Sequence, residues 1–324
     1  MRTIDVLQAK REAYAEEMER NDNMVIIGED LGPYGGMFGQ TTGLWAKYGD
    51  DRVMSPALCE SFIASFATGA SMGGLTMLAE LNMSEFAAYA YDALVNQAPK
   101  LRYMTGGQCS FPVVFNLVQG GGNGTGAHHS SCSEGWFQNC PGVKLYVPTY
   151  PDDYKGLLKY AIREPDPVIF IEHRLKAQKA EVPDEDYVIQ PGVARVRKEG
   201  KDVTIVAWQW GLLKVEEAKE ELAALGVDCE IIDPRTIKPL DKKTILSSIR
   251  KTGRLVVVTE APKVGGVGNQ ILALAMEEAF ADMKAPAVYV GGKDFPMPYG
   301  PGEKYVMPQK EDVIAAVKKV MNMA

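Results

Sequence analysis

The alternation of short apolar segments with helical patterns is the feature that most limits the fold of this chain. The strand segments of the first half are residues 24–27, 75–81, 111–115, 144–148 and 168–172, and helices are predicted at 61–74, 86–104 and 152–163. Strands that alternate with helices usually pair in parallel, because each helix carries the chain back across the sheet. We therefore predict an α/β fold with a mostly parallel, doubly wound sheet.

Length and charge distribution divide the chain into two such units. A chain of 324 residues is too long for one ordinary domain and comfortable for two. A charged, irregular stretch follows the fifth strand, and strand and helix patterns resume beyond it. We predict a first domain at residues 1–185, a linker at 186–200 and a second domain at 201–324.

Charge and composition exclude several classes of protein. The net charge of -7 argues against nucleic acid and against anionic membranes as main partners. No segment has the roughly 20 apolar residues that a membrane span needs, and the first residues contain no apolar signal core. The 5 cysteines form no CxxC pair and show no metal-ligand spacing, so burial is the expectation for each. We expect a cytoplasmic protein in a reducing compartment.

Glu60 is the first candidate for chemistry, because it opens a helix rich in small residues. A lone glutamate at a helix start is usually a capping acid that the helix dipole stabilises. The functional alternative is an acid or base at the edge of the sheet where α/β proteins collect ligands. The small-residue helix at 61–74 indicates burial on nearly all sides, within the chain or at a subunit interface.

Two adjacent histidines, His128 and His129, follow a glycine-rich loop at residues 119–126. A loop histidine is suited to acid–base work, because its pKa lies near neutrality. No further ligands at metal-binding spacing stand nearby, so a metal site is not indicated. Without more context, each histidine is more often a surface or capping residue than a catalyst.

The order of several motifs resembles one family over nearly the whole chain. The motifs that carry the resemblance are Val25–Asp30, Gly43–Gly49, Leu58–Glu60, Asn96–Ala98, Tyr103–Gly107, His129–Ser130, Cys140–Lys144, Asp233–Pro239 and Thr259–Pro262. The family that they resemble is the β subunits of the thiamine-diphosphate-dependent pyruvate, acetoin and branched-chain 2-oxo acid dehydrogenases.

The resemblance implies two doubly wound domains, a transketolase-like pyrimidine-binding domain and a transketolase C-terminal-like domain. It also implies an α subunit that holds the diphosphate of the cofactor through Mg²⁺, using a GDG segment with a downstream asparagine. This chain has no such segment. The expected assembly is an α₂β₂ heterotetramer, which feeds a lipoyl-bearing acyltransferase core with the acyl group of a small 2-oxo acid.

The resemblance also assigns expected roles to individual residues. Glu60 matches the glutamate that shares a proton with a ring nitrogen of the aminopyrimidine and so favours its imino tautomer. Phe86 and Leu58 match residues that pack on that ring. His129, which Ser130 follows as in the family pattern, matches a histidine near the substrate.

The resemblance also implies a second site, which binds a structural monovalent cation such as K⁺ through backbone carbonyl oxygens. Hard oxygen ligands suit such an ion. The matching positions are Val113, Ala161, Glu164 and Asp166.

Two other functions compete with the dehydrogenase interpretation. A transketolase-like or deoxyxylulose-phosphate-synthase-like half enzyme would share the folds and the cofactor but act on sugar phosphates. Such enzymes need more histidines and basic residues in the pocket than the 3 histidines of this chain offer. A scaffold subunit without activity is the third possibility, which the presence of Glu60, Phe86 and His129 disfavours.

Overall fold

Strands and helices alternate along the computed structural model, which describes residues 1–176 and 178–323. The strands are β1 Arg2–Asp5, β2 Met24–Gly28, β3 Val53–Met54, β4 Thr76–Met83, β5 Val113–Gln119, β6 Lys144–Tyr146, β7 Val168–His173, β8 Lys179–Val182, β9 Arg195–Lys198, β10 Val203–Ala207, β11 Cys229–Asp233, β12 Thr236–Lys238, β13 Leu255–Pro262 and β14 Val288–Gly292. The helices are α1 Val6–Arg20, α2 Leu44–Tyr48, α3 Glu60–Met72, α4 Ala98–Met104, α5 Glu134–Gln138, α6 Pro151–Arg163, α7 Gln209–Ala224, α8 Lys242–Thr252, α9 Gly268–Glu278 and α10 Lys310–Met321. The predicted α/β class is confirmed.

The chain forms two compact units. The first contains residues 1–119 and 139–190, and the second contains residues 120–138 and everything from Pro191 onward. The segment 120–138 therefore groups with the second unit, whereas the expected domain limits place it in the first. Part of the expected linker is also structured, because β9 belongs to the sheet of the second unit.

The first unit is built on a parallel sheet of six strands in the order β6-β7-β5-β4-β2-β3. Helices α1 and α6 pack together over this sheet. Tyr14 and Met18 of α1 meet Tyr154 of α6 and the strand residues Leu78 and Phe170 in one buried apolar core. A separate antiparallel pair joins β1 to β8.

The second unit has a sheet of five strands in the order β14-β13-β10-β11-β9. Its first four strands are parallel, and β9 runs antiparallel to β11. Helices α7 and α10 pack against each other and against the sheet, and α8 and α9 form a second such pair. In residues 1–176 and 178–323, no helix combines the length and the apolar character that crossing a membrane requires.

A buried ion network crosses the middle of the first sheet. Lys10 of α1 bonds to Glu80 of β4 at 2.8 Å and to Glu172 of β7 at 2.7 Å, and all three side chains are fully buried. Asn116, on the strand between them, donates to Glu80 at 3.1 Å and to Glu172 at 2.9 Å. Tyr14 donates to Glu80 as well. These partners replace water around the carboxylate of Glu80, which is fully buried.

The charges of this network shape the pKa values of its members. Burial works against the charged form of Glu172, but the ammonium groups of Lys10 and Lys176 outweigh it and lower its pKa to about 2. Burial also opposes the charged form of Lys10, but the carboxylates of Glu172 and Glu80 outweigh it and raise its pKa. Lys10 and Glu172 are therefore both charged at neutral pH.

The structure corrects two local predictions. The helix predicted at 86–104 is broken into a 3₁₀ turn at Ser84–Ala88, a wide π-helical turn at Asp92–Gln97 and α4. Pro99 explains the break, because it has no N–H for the carbonyl of Val95 and its ring needs extra room. Strand β5 extends to Gln119, beyond the predicted end at residue 115, since Asn116 joins the ion network.

One side of α3 is exposed at Phe62 and Met72 in the single chain, so this helix is not buried on nearly all sides by the chain itself. Its burial at a subunit interface stays a prediction. The expectation that every cysteine is buried is wrong. Of the cysteines, Cys229 is buried, whereas Cys59 is exposed and the other three are partly exposed.

We expect Lys10→Ala to lower the free energy of unfolding by roughly 3–5 kcal/mol, since it leaves two carboxylates buried without their shared cation. Urea denaturation followed by circular dichroism measures this change. Lys47→Ala is the matched control, because it removes an exposed ion pair with Glu19 that solvent screens. Equal effects of the two substitutions would contradict the importance of the network.

Candidate functional site

Glu60 lies at the first residue of α3 and is buried, with 6% of its surface exposed. The preceding residue, Cys59, is extended, so the helix starts abruptly at the glutamate. The unpaired N–H groups of the first helical turn favour a carboxylate at this position. Glu60 is therefore a buried acid at the start of a helix. This position fits both the capping interpretation and the catalytic interpretation.

A second carboxyl group, that of Glu29, lies close to Glu60. Glu29 follows β2 directly, and its Oε2 accepts a hydrogen bond of 2.8 Å from Nδ2 of Asn82 at the end of β4. Burial raises the pKa of Glu29, and the negative charge of Glu60 raises it further, while the Asn82 bond acts in the opposite direction. Glu29 thus holds its proton more tightly than an exposed glutamate does.

The side chains of Glu29 and Asn82 meet because strands β2 and β4 are neighbours in the sheet and approach each other closely. Gly28 pairs with Glu80 across β2 and β4. A Cβ atom at Gly28 would lie 2.6 Å from the Cβ of Glu80, so a side chain there would force the strands apart. Asn82 has a positive φ of 48°, which turns the end of β4 toward Glu29.

Two polar atoms at this place have no hydrogen-bond partner among the described residues. They are Oε1 of Glu29 and Oδ1 of Asn82, and both are buried. Buried polar atoms without partners are costly in a folded protein and often mark a place where a ligand binds. Sequence reasoning did not assign a role to either residue, although the position of Glu29 directly after a buried strand was a usable signal.

Phe86 and Leu58 are the apolar residues expected beside Glu60. Phe86 lies half-buried in the 3₁₀ turn Ser84–Ala88, which packs against α3. Leu58, two residues before Glu60, is 72% exposed. The two apolar residues therefore lie on elements next to the buried acid, one half-buried and one exposed.

His129 belongs to the second unit. It ends the short 3₁₀ turn Ala127–His129, and both His128 and His129 are exposed. The backbone N–H of His129 donates to the carbonyl of Gly126 at 3.2 Å, so the turn follows the glycine-rich loop without interruption. The imidazole is accessible from solvent, as an acid–base group near a substrate must be.

The positions expected to bind a monovalent cation surround the end of α6 and the starts of β5 and β7. Val113 opens β5, Ala161 lies in the last turn of α6, and Glu164 follows that helix. The carboxylate of Glu164 pairs with Lys144 at 2.7 Å, and that of Asp166 pairs with Lys144 at 3.2 Å and with Arg102. A cation here would therefore depend on carbonyl oxygens, since both carboxylates have cationic partners.

Metal ligands are not otherwise grouped in the part of the chain that the structure describes. No cluster there brings together three or more histidine, cysteine, aspartate or glutamate side chains that could hold a metal ion.

Family models match both units. The transketolase pyrimidine-binding domain matches residues 2–179, and the transketolase C-terminal domain matches residues 192–313. A solved structure described as a split-gene transketolase, an inactive β₄ tetramer, has a TM-score of 0.81 and 27% sequence identity and covers 99% of both chains. The expected pair of transketolase-like domains is confirmed.

Curated relatives match the chain over almost its full length. The pyruvate dehydrogenase E1 component subunit beta of Acholeplasma laidlawii is 41% identical over 99% of this chain and 98% of its own. The corresponding Rhizobium meliloti subunit is 41% identical over 99% of this chain and 70% of its own. The 2-oxoisovalerate dehydrogenase subunit beta of Bacillus subtilis is 38% identical over 99% of both chains. The chain therefore belongs to the family of β subunits of thiamine-diphosphate-dependent 2-oxo acid dehydrogenases, as its motifs had indicated, rather than to the sugar-phosphate enzymes.

Proposed function

We propose that this chain and an α subunit together form an active site that decarboxylates a small 2-oxo acid of the pyruvate type or cleaves acetoin. In this proposal the acyl group passes to a lipoyl group of an acyltransferase core. The observation that carries the proposal is the buried carboxyl group of Glu60 at the start of α3, with apolar residues beside it, in a chain of this family. Thiamine diphosphate supplies the electron sink that decarboxylation needs.

The role that we assign to Glu60 is to hold a proton between its carboxyl group and a ring nitrogen of the aminopyrimidine. Its burial supports this role, because water cannot compete for the hydrogen bond in a site of low dielectric. Phe86 and Leu58 would cover the faces of the ring and exclude water from it. Covering Leu58 removes apolar surface from water, which favours binding.

Glu29 supports the same site through its own proton. Because burial and the charge of Glu60 raise its pKa, Glu29 is protonated over a wider pH range than an exposed glutamate. A protonated Glu29 adds no second negative charge beside Glu60. The local charge is then lower, which lessens the cost of keeping both groups buried.

His129 supplies the acid–base group of the second unit in this proposal. An exposed imidazole can stabilise charge on a reacting substrate or assist transfer to the lipoyl group. The Mg²⁺ that accompanies the diphosphate would be bound by the α subunit. The carbonyl oxygens of Val113, Ala161, Glu164 and Asp166 would hold a structural monovalent cation such as K⁺.

We expect Glu60→Gln to lower activity by at least about a hundredfold, because it removes the proton that the aminopyrimidine shares. The assay mixes this chain with its α subunit, thiamine diphosphate, Mg²⁺ and pyruvate, and follows reduction of an artificial electron acceptor. This chain alone should show no activity. The control is Glu311→Gln, an exposed glutamate in the first turn of α10. Full activity of an assembled Glu60→Gln complex would remove Glu60 from the mechanism.

We expect the reconstituted complex to turn over pyruvate, acetoin or a branched-chain 2-oxo acid, and to leave ketose phosphates unchanged. The physical reason is that recognition of sugar phosphates requires basic side chains and histidines in the pocket, and the chain has only 3 histidines. Product analysis with each substrate in separate reactions measures the preference. Ketol transfer between sugar phosphates would favour the transketolase-like alternative instead.

We expect two substitutions to move the pKa of Glu29 in opposite directions. Glu60→Gln should lower it by removing a nearby negative charge, and Asn82→Ala should raise it by removing a hydrogen-bond donor. Carboxyl-carbon NMR titration of the chain labelled at glutamate measures both shifts. Glu277→Gln, at an exposed site on α9, should leave the pKa unchanged. An unchanged Glu29 titration in both variants would show that the three side chains do not interact.

A further inference from the structure

The loop that leads to His129 has little conformational preference of its own. Residues 120–126 include five glycines, and four of them have positive φ values: 89° at Gly120, 104° at Gly122, 70° at Gly124 and 78° at Gly126. Glycine loses more backbone freedom on folding than any other residue. A single conformation of this loop therefore depends on contacts from outside it.

Two buried carboxylates supply such contacts to consecutive residues of the loop. Oε1 of Glu260, in β13, accepts the backbone N–H of Gly121 at 2.6 Å. Oε2 of Glu303, in the 3₁₀ turn Gly300–Tyr305, accepts the backbone N–H of Gly122 at 2.9 Å. Each glutamate is only 7% exposed. Hydrogen bonds to a charged acceptor are stronger than neutral ones, and burial protects them from water.

Tyr299 and Gly300, shortly before Glu303, also contact the glycine-rich loop. Gly300 donates its N–H to the carbonyl of Gly124 at 3.2 Å, and Thr125 forms an antiparallel bridge with Tyr299. The ring of Tyr299 fills the space beside Gly126, where a Cβ atom would lie 2.4 Å from it. The loop is thus in contact with this segment from Gly122 to Gly126, three residues before His129.

The contacts continue from the loop to the histidine itself. The N–H of His129 donates to the carbonyl of Gly126, and Oγ1 of Thr125 donates to the carbonyl of His129 at 3.4 Å. A displacement of the loop backbone would therefore move the backbone of His129. Small displacements of a reacting group are costly for catalysis.

We propose that Glu303 and Glu260 are positioning residues, which fix the glycine-rich loop through its consecutive N–H groups and so orient His129. This inference rests on the proposed catalytic role of His129. It assigns no contact with substrate or cofactor to either glutamate. A carboxylate with a purely structural role would stabilise the second unit without influencing the step that His129 serves.

The first test is a double-mutant cycle in the complex reconstituted with its α subunit, thiamine diphosphate, Mg²⁺ and pyruvate. Glu303→Ala should lower kcat about tenfold and change KM for pyruvate less than about threefold, because it misplaces His129 without removing a binding contact. The double variant with His129→Ala should be no slower than His129→Ala alone. Losses that simply multiply in the double variant would overturn the proposal.

The second test measures the loop directly, by hydrogen–deuterium exchange of peptides that cover residues 120–132 in the same complex. Glu303→Ala should accelerate exchange there and leave β10 and β11 protected. Glu303→Gln keeps an oxygen that can accept the N–H of Gly122, so it should retain protection and most of the activity. Equal acceleration in the Gln and Ala variants, or none in either, would overturn the hydrogen-bond account.

Glu277→Ala, on the exposed side of α9, is the control for both tests and should change neither activity nor exchange in the loop. The two tests also separate this inference from the proposed function. If His129→Ala keeps full activity, the role of His129 is wrong, and the proposal that the glutamates position it for catalysis falls with it. The exchange result would still decide whether the glutamates hold the loop. If His129→Ala is impaired but Glu303→Ala is not, the positioning proposal alone fails.

Discussion

The bonds from Lys10 to Glu80 and Glu172 are the interaction on which the first unit depends. One ammonium group ties α1 to two different strands at a point where water is excluded, so each charge is stabilised by the others. Asn116 fills the gap on the strand between them. Two residues beyond Glu80, the chain turns at Asn82 toward Glu29. The network therefore holds the strand end from which the candidate site is built.

Buried carboxyl groups recur through both units, and the kind of partner each one has indicates its role. In the ion network the partners are ammonium groups, which suits a structural element. Glu260 and Glu303 have backbone N–H groups as partners, which suits the fixing of a loop. Among the described residues, Glu29 accepts a hydrogen bond from the amide of Asn82 and has one oxygen without a partner. Burial and the nearby charge of Glu60 raise its pKa. An incompletely satisfied acidic pair is expensive to bury, and ligand binding is the usual reason for such a cost.

The parts of this structure that local patterns encode were predictable, and the parts that depend on distant contacts were not. Alternating strand and helix patterns predicted the fold class, and the position of Glu60 at the start of a helix could be read from its neighbours. The pairing of Glu29 with Asn82 required the sheet order β2-β4, which no local pattern contains. The same holds for the grouping of residues 120–138 with the second unit. The helix break at Pro99 was readable, because proline in a helix interior removes a hydrogen bond.

Exposed apolar side chains lie close in sequence to the buried acid Glu60. The acid is buried, but Leu58 two residues earlier is 72% exposed, and Phe62 one turn into the helix is exposed as well. Leaving such side chains in water forgoes roughly 1.5–3 kcal/mol each, which a covering surface would recover. Among the described residues, no cluster of metal ligands accompanies this surface. The relatives of this chain are β subunits, and a partner subunit that covers these apolar groups would complete the site that we propose.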